Sequence, residues 1–149
     1  MNEIRDEAIK NLIPQREPMI MVDAFYEATE SEAETGLTIA NNNLFCNDGL
    51  FTEPGLIEHI AQSASAFAGY KALLANKPAP TGFIGEVKKC RFHFLPRAGE
   101  ELRTHIRILT EVLGVSLLTA ETIVDGQTVV QCQMKIFITP SSPIACDFL

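Results

Sequence analysis

Two polar side chains with the chemistry of an acid and its orienting partner stand one helical turn apart, at Glu58 and Gln62. They follow a Pro54-Gly55 pair that marks the start of a long helical segment, and residues at i and i+4 share one face of a helix. The rest of that segment is nearly all small or apolar, so the helix can lie close to a packed surface and carry the carboxylate into a confined place. Burying an acid without partners is costly, which makes Glu58 a candidate for acid-base chemistry. An acid is also favoured at a helix start for electrostatic reasons alone, and the sequence leaves both interpretations open.

A base to accompany this acid has to be sought among the three histidines. His59 is the candidate because it is the only one close to Glu58 in the sequence. Adjacent helix residues point about 100° apart, however, so the two side chains do not share a face. We expect His59 either to lie on the helix surface or at an interface, or to reach a neighbouring site in a dimer as a catalytic base. His93 and His105 alternate with apolar residues along predicted strands and are expected to face solvent.

The composition is that of a globular protein whose partners are neither nucleic acid nor membrane. The chain has 149 residues, of which 46% are hydrophobic and 21% charged, enough for one domain with a real core. Its net charge of −7 argues against nucleic acid. The long apolar helix carries several polar residues, which argues against a membrane span. The charged N-terminus lacks the apolar stretch of a signal peptide, so we predict a cytoplasmic protein.

The cysteines give no sign of a metal site or a disulfide framework. Cys46, Cys90, Cys132 and Cys146 are widely scattered, and no C-x-x-C pair occurs. Cys90 and Cys132 lie within alternating, strand-like stretches, and we expect both to be buried apolar filler.

Positive charge is concentrated in one short stretch of this acidic chain. Lys88, Lys89, Arg91 and Arg97 fall close together. A local basic surface on an acidic protein favours docking of an acidic partner or a phosphate-bearing ligand. A solvated strand face would give the same pattern, and this alternative stays open.

The elements that must position these residues are strands on both sides of the long helix. Asp125-Gly126 is the strongest hairpin signal in the chain. The predicted elements are a short amphipathic helix over 7–12, strands over 19–26 and 34–40, a loop over 41–50, the long helix over about 54–76, and strands over 82–95, 101–112, 115–124 and 128–138.

This order of elements predicts an α+β fold in which one antiparallel sheet of about six strands wraps around the long helix. We predict a single domain over 1–149, with a core over about 12–139 and a tail over 140–149. One helix covers little of so wide a sheet, which favours a dimer that joins edges or faces.

The order and lengths of the elements resemble the hotdog fold, and the motifs resemble the 3-hydroxyacyl-[acyl-carrier-protein] dehydratases of fatty acid synthesis. Segment 13–23, Ile-Pro-Gln-Arg-Glu-Pro-Met-Ile-Met-Val-Asp, is similar to the family's Pro-His-Arg-x-Pro motif and the apolar strand that follows it, with Gln15 in place of His. On the central helix, Glu58 and Gln62 stand on the family's functional positions.

Two further motifs extend the resemblance to roughly residues 12–139. Gly85, Arg91 and Phe92 lie near the family's Gly-x-x-x-x-Arg-Phe strand, with slightly different spacing. The turn over 96–102 is similar to its Pro-Gly-Asp-x-Leu.

One departure concerns the catalytic histidine of that family, which lies in a Gly-His-Phe-Pro-Gly loop before the helix. The corresponding place in this chain is near Leu44 and Phe45, and no histidine precedes His59. In this respect the chain resembles divergent members of the family associated with aryl-polyene and flexirubin-type pigment synthesis, which share the helix motif without that loop.

The resemblance implies dehydration of 3-hydroxyacyl thioesters carried on acyl-carrier protein, in fatty acid or polyene-pigment synthesis. That reaction needs a base for the α-proton, an acid for the departing hydroxyl and donors for the thioester oxygen. Glu58 would be the acid/base with His59 as the candidate base, and Gly55, Gln62 and Gly85 would bind substrate. The helix start near Gly55 would supply the donors.

The same resemblance implies the partners. Lys88, Lys89, Arg91 and Arg97 would dock the acidic carrier protein or its phosphopantetheine phosphate. Apart from that arm, which carries the substrate, no cofactor and no metal is expected, and the protein would be a homodimer or a higher oligomer. Two alternatives stay open. One is a hotdog acyl thioesterase that uses Glu58, and the other is a non-catalytic acyl-binding partner subunit that has lost the base.

Overall fold

The computed structural model describes residues 2–139, in which one long helix lies against an antiparallel sheet. Helix α1 covers Glu53–Leu74, and a 3-10 helix covers Asp6–Asn11 near the N-terminus. The strands are β1 (Ile4–Arg5), β2 (Ala24–Ala28), β3 (Glu32–Thr38), β4 (Cys46–Asn47), β5 (Leu50–Phe51), β6 (Thr81–Phe92), β7 (Glu101–Val112), β8 (Val115–Val124) and β9 (Gln127–Thr139).

Within the described range, seven of the strands form one sheet in the order β1-β2-β3-β7-β8-β9-β6. Strands β4 and β5 form a separate two-stranded ribbon just before α1. The helix therefore carries the chain across the sheet, from β3 to the far edge at β6. This arrangement confirms the predicted α+β architecture, and the strand beyond the predicted six is the two-residue β1.

Small residues let α1 lie unusually close to its neighbours. A Cβ added at Gly69 would collide with the backbone carbonyl of Leu12, and one added at Gly82 on β6 would lie 2.7 Å from Ser65 Oγ. The helix begins with Pro54 in its first turn, where the missing N–H has no intrahelical partner to lose. The small-residue helix is thus packed against the sheet and against the N-terminal segment, as its composition predicts.

The core consists of two apolar clusters that share the helix. The first fills the space between the N-terminal half of α1 and β7, β8 and β9, and includes Leu56, Ile60 and Met134. The second lies between the later turns of α1, the 3-10 helix and β2, and includes Leu12 and Phe67. Together the clusters fix the helix along its length.

The predicted first strand is wrong in its N-terminal half. The sequence favours a strand over 19–26, but β2 begins only at Ala24. Residues 19 and 21 hydrogen-bond instead to side chains of α1, namely Gln62 and His59. Residues 19–21 therefore form an extended, apolar segment that is held by side chains of α1 and is not a strand of the sheet.

Other stretches differ from prediction in smaller ways. The helix predicted over 7–12 is a 3-10 helix, and β3 and β6 end at Thr38 and Phe92 rather than at residues 40 and 95. The predicted loop over 41–50 contains the β4–β5 ribbon, whose turn places Asp48 and Gly49 at φ of 51° and 77°. Cys90 is exposed rather than buried, because it lies on β6, the edge strand of the sheet, most of whose residues are exposed. A bulge beside it gives Lys89 a φ of 51°. Cys132, on the neighbouring strand, is buried as predicted.

The second half of the sheet agrees closely with prediction. Strands β7 and β8 have the predicted bounds, and the turn between β8 and β9 places Asp125 and Gly126 at φ of 48° and 78°. Two consecutive positive φ values are typical of a type I′ hairpin. The predicted tail over 140–149 lies outside the described residues. Over residues 2–139, no helix has the length and apolarity needed to cross a membrane.

Close packing at Gly69 gives a stability prediction. Gly to Ala in an open helix interior raises stability by about 1 kcal/mol, but here the added methyl group would displace the backbone of Leu12. We expect Gly69→Ala to lower the free energy of unfolding by about 2–3 kcal/mol. Urea unfolding followed by circular dichroism measures this, and an unchanged or raised midpoint would contradict the packing described.

Candidate active site

Glu58 is half-buried in the first turns of α1 and is held through one of its carboxylate oxygens. Gln62 Nε2 donates a hydrogen bond of 2.9 Å to Glu58 Oε1, so the two side chains share a face as their spacing predicts. The second oxygen, Oε2, accepts no side-chain hydrogen bond from the described residues. The carboxylate is therefore fixed in direction and has one oxygen available to a ligand.

The amide of Gln62 is fully buried and uses all of its hydrogen-bonding groups. Its oxygen accepts from the backbone N–H of Met21 at 2.6 Å. Its nitrogen donates to the carbonyl of Met19 at 2.7 Å as well as to Glu58. Because Met21 N–H can only donate and Met19 O can only accept, the amide has one possible orientation, with its NH₂ group directed at Glu58.

His59 lies neither on the helix surface nor where it could reach a neighbouring site, in contrast to both expectations from the sequence. Its side chain is fully buried. Nδ1 lies 2.6 Å from the carbonyl oxygen of Met21, and Nε2 lies 2.7 Å from Thr104 Oγ1. Burial lowers the pKa of His59 to about 4, so the ring is neutral at physiological pH. With both nitrogens engaged inside the core, His59 has no route to a substrate in this chain.

The other two histidines are not buried in the core, as their alternation predicts. His93 is exposed just after β6. His105 projects from β7 and meets the carboxylates of Glu32 at 2.8 Å and Glu34 at 3.4 Å. None of the three histidines, all of which lie within residues 2–139, hydrogen-bonds to Glu58.

The two candidate substrate-binding glycines are sites of close packing. A Cβ at Gly55 would lie 2.6 Å from Phe45 Cβ and 2.8 Å from the ring of Phe51, so the start of α1 is pressed against two aromatic residues. Gly85 lies at a bulge of β6, where its missing side chain makes room for the ring of Phe137. Whether either glycine contacts substrate stays a prediction.

The four candidate docking residues are exposed and gather toward one end of the molecule. Lys88, Lys89 and Arg91 belong to the C-terminal half of β6, and Lys88 is 3.6 Å from Glu86. Arg97 forms an isolated bridge with Leu50, immediately before α1, which places it at the end of the molecule where Glu58 lies. Their role in docking stays a prediction.

The sequence did not point to two buried threonines, nor to the backbone of Met19 and Met21, which bonds to side chains of α1. Thr104 and Thr122 are fully buried, directly paired across β7 and β8, and 2.7 Å apart at their hydroxyls. Thr104 stands between Leu102 and Ile106 on the apolar face of its strand. A polar residue on a core-facing position was the available signal, because a buried hydroxyl needs a partner.

Comparison with known proteins identifies the family. The ApeP-like family model, described as ApeP dehydratase, matches residues 7–145. The 3-hydroxyacyl-[acyl-carrier-protein] dehydratase FabZ of Bacillus cytotoxicus is 33% identical over 140 residues, covering 87% of this chain and 91% of that protein. The chain belongs to the hotdog 3-hydroxyacyl-[acyl-carrier-protein] dehydratase family, as a divergent, ApeP-like member. The predicted family and dehydratase class of function are thereby confirmed.

Solved structures confirm the hotdog fold. The dehydratase heterocomplex ApeI:P from Xenorhabdus doucetiae matches with a TM-score of 0.84 at 15% identity, over 94% of this chain and 95% of that chain. A hypothetical thioesterase from Streptococcus pneumoniae, solved with coenzyme A, matches with a TM-score of 0.60 at 8% identity, over 78% of this chain and 85% of that chain. Identities this low show the shared fold alone.

The buried ring of His59 gives a pH prediction. Its pKa is about 4 in the folded protein and 6.5 for an ordinary histidine, so between these values only the unfolded chain binds a proton there. The stability that this difference provides is complete above pH 6.5 and is lost as the pH falls through 4. It corresponds to about 3 kcal/mol.

We therefore expect the free energy of unfolding to fall between pH 7 and pH 4 by about 3 kcal/mol more for the wild type than for His59→Asn, which cannot take up that proton. Urea unfolding at a series of pH values measures the difference. Parallel pH curves for the two proteins would contradict the burial of a neutral ring.

Proposed function

We propose that this chain dehydrates 3-hydroxyacyl thioesters carried on acyl-carrier protein and that Glu58 exchanges protons with the substrate. In this reaction the α-carbon loses a proton, the 3-hydroxyl group leaves as water and a carbon–carbon double bond forms. A protonated Glu58 would donate its proton to the departing hydroxyl. The observation that supports this role is the half-buried carboxylate, whose Oε1 is held by Gln62 while Oε2 has no side-chain partner among the described residues.

The base for the α-proton comes, in this proposal, from a second subunit. His59 has both ring nitrogens engaged in the core, and neither His93 nor His105 hydrogen-bonds to Glu58. A second copy of this chain brings only the same three histidines. A different hotdog subunit that carries the loop histidine would complete the site. The structural neighbour ApeI:P, a dehydratase heterocomplex, supports such an assembly.

The open edge of β6 is the surface on which we place that subunit. Strand β6 is 12 residues long and ends the sheet, so its outer backbone groups have no strand partner in the described structure. It also exposes apolar side chains, with Phe83 58%, Ile84 41% and Phe92 37% accessible. A long apolar edge strand favours pairing with another chain. Pairing there would bring a neighbour alongside α1.

The buried position of His59 also favours a second candidate function. A chain in which no histidine bonds to the site carboxylate, yet which keeps the fold and that carboxylate, would suit a non-catalytic subunit that supports an active partner. The two candidates differ in whether the Glu58 carboxylate is needed for turnover. The thioesterase alternative has in its favour only the shared fold, because the thioesterase neighbour is 8% identical.

Substitution of Glu58 separates these candidates. We expect Glu58→Gln to lower kcat by about 100-fold or more, because the amide cannot supply the proton while it can still bond to Gln62. Mass spectrometry of a 3-hydroxyacyl-carrier protein, incubated with the chain and its hotdog partner subunit, measures loss of one water from the acyl group.

The matched control is Glu53→Gln, which removes an exposed carboxylate from the first turn of the same helix. It should leave turnover unchanged. Full activity of the Glu58→Gln assembly would assign this chain to the non-catalytic role, and release of free acid in place of the unsaturated thioester would assign it to the thioesterases.

Carrier docking is tested by reversing charge on β6. We expect Lys89→Glu combined with Arg91→Glu to weaken binding of acyl-carrier protein about 10-fold or more at low salt, with a smaller effect at high salt, since exposed charges are screened. Surface plasmon resonance at two ionic strengths measures this. Arg107→Glu is the control, an exposed charge on β7 outside the cluster. Equal loss of binding in the control and the double variant would contradict specific docking.

The cytoplasmic location stays a prediction, and so does the phosphopantetheine arm as the carrier of the substrate.

A further inference from the structure

His59 is a fully buried titratable residue for which the proposed chemistry has no direct use. Burying an imidazole without hydrogen-bond partners costs free energy, and here two short hydrogen bonds compensate for its removal from water. Their directions follow from the partners. The Met21 carbonyl can only accept, so Nδ1 carries the proton, and in a neutral ring Nε2 must then accept from the hydroxyl of Thr104.

The hydroxyl of Thr104 is thereby committed as a donor, which leaves its oxygen to accept from Thr122 at 2.7 Å. The result is a directed chain of hydrogen bonds from Thr122 through Thr104 and His59 to the carbonyl of Met21. The two threonines are paired residues of the central strands β7 and β8, so this series of hydrogen bonds begins in the interior of the sheet. It ends on the backbone of residues 19–21, which has no strand partner within residues 2–139.

Gln62 holds the same backbone segment from its other side. Met21 thus has its C=O fixed by His59 and its N–H fixed by Gln62. The Gln62 amide in turn divides its two N–H groups between Met19 O and Glu58 Oε1. If Met21 moved, the amide would lose the contact that sets its orientation, and its N–H would no longer be directed at the carboxylate.

We propose that His59 is a positioning residue of the dehydratase site, which holds the carbonyl of Met21 against α1 and so fixes the orientation of Gln62 and Glu58. The inference rests on the proposed role of Glu58 in the reaction. It assigns His59 no contact with substrate and no proton transfer.

Two amide substitutions each keep one of the two hydrogen bonds of the ring and remove the other. The amide nitrogen of Asn is attached to Cγ, as Nδ1 is, so His59→Asn can keep the bond to Met21 and loses the bond to Thr104. The longer Gln side chain reaches toward the position of Nε2, so His59→Gln can keep Thr104 and loses Met21. Both variants perturb the core, but only the second frees the backbone segment.

We expect His59→Gln to lower kcat by about 10- to 100-fold with little change in KM, and His59→Asn to stay within about threefold of the wild type, because misplacement of a catalytic group by about 1 Å is enough for such a loss. Turnover is measured with a 3-hydroxyacyl-carrier protein in the assembly with the partner subunit. Should His59→Gln fail to fold, His59→Ser takes its place, since the short hydroxyl cannot reach the Met21 carbonyl and leaves room for water to pair with the buried groups.

Thr35→Val is the matched control for a purely structural effect. Thr35 is fully buried and donates to Ser63 on the same helix at 2.7 Å, but it is not part of the chain that ends on Met21. It should lower stability and leave kcat unchanged. The proposal would be overturned if the Asn and Gln variants lost kcat equally. It would also be overturned if kcat fell in Thr35→Val in proportion to its loss of stability.

A second readout is independent of turnover. The chain has four methionines, so methyl-labelled methionine gives few NMR signals, among them those of Met19 and Met21. These two signals should shift in His59→Gln and stay near their wild-type positions in His59→Asn. Unmoved signals in His59→Gln would overturn the anchoring role. If the anchoring is seen but the assembly has no dehydratase activity, it is the proposed function that fails.

Discussion

The geometry at Glu58 depends on the hydrogen bonds by which helix α1 holds the backbone of residues 19–21. Gln62 and His59 bond to both backbone polar groups of Met21, and Gln62 bonds to Met19 as well. These bonds stand in place of strand partners, of which residues 19–21 have none in the described part of the chain. Buried backbone groups need partners, so these two side chains cannot be exchanged for apolar ones without cost. The carboxylate of Glu58 is oriented by the remaining N–H of the same amide. Fold and site therefore share one set of contacts.

Close packing of the helix makes this set possible. Gly69 lets the backbone of Leu12 come against α1, and Ser65 lies close to Gly82 on β6. Because the helix lies this near to the sheet and to the N-terminal segment, the side chains of His59 on α1 and Thr104 on β7 can meet across the interface. A larger residue at Gly69 would move the N-terminal segment away from the helix and weaken the same contacts that orient Glu58.

Local signals in the sequence were enough for the second half of the fold, and long-range contacts decided the rest. Alternation and the Asp125-Gly126 turn predicted β7, β8 and their hairpin connections, because these depend on neighbouring residues. The run from Met19 has the same apolar pattern as a strand. Only its hydrogen-bond partners His59 and Gln62, 38 and 41 residues away from Met21, show that it is held by the helix instead of pairing in the sheet. The i and i+4 spacing placed Glu58 and Gln62 on one face. Helix periodicity did not reveal the burial of His59, because α1 is small or apolar on nearly all sides and marks no single buried face, and the partner of the ring, Thr104, lies in a distant strand.

In the proposed mechanism Glu58 acts on the 3-hydroxyl group while a second subunit supplies the base. A crystal structure of the assembly with a stable 3-hydroxyacyl-pantetheine mimic tests this directly. We expect the 3-hydroxyl to lie within hydrogen-bond distance of Glu58 Oε2, Gln62 still to hold Oε1, and a base of the partner subunit to approach the α-carbon beside β6. An acyl chain bound away from Glu58, or a site closed by this chain alone, would contradict it.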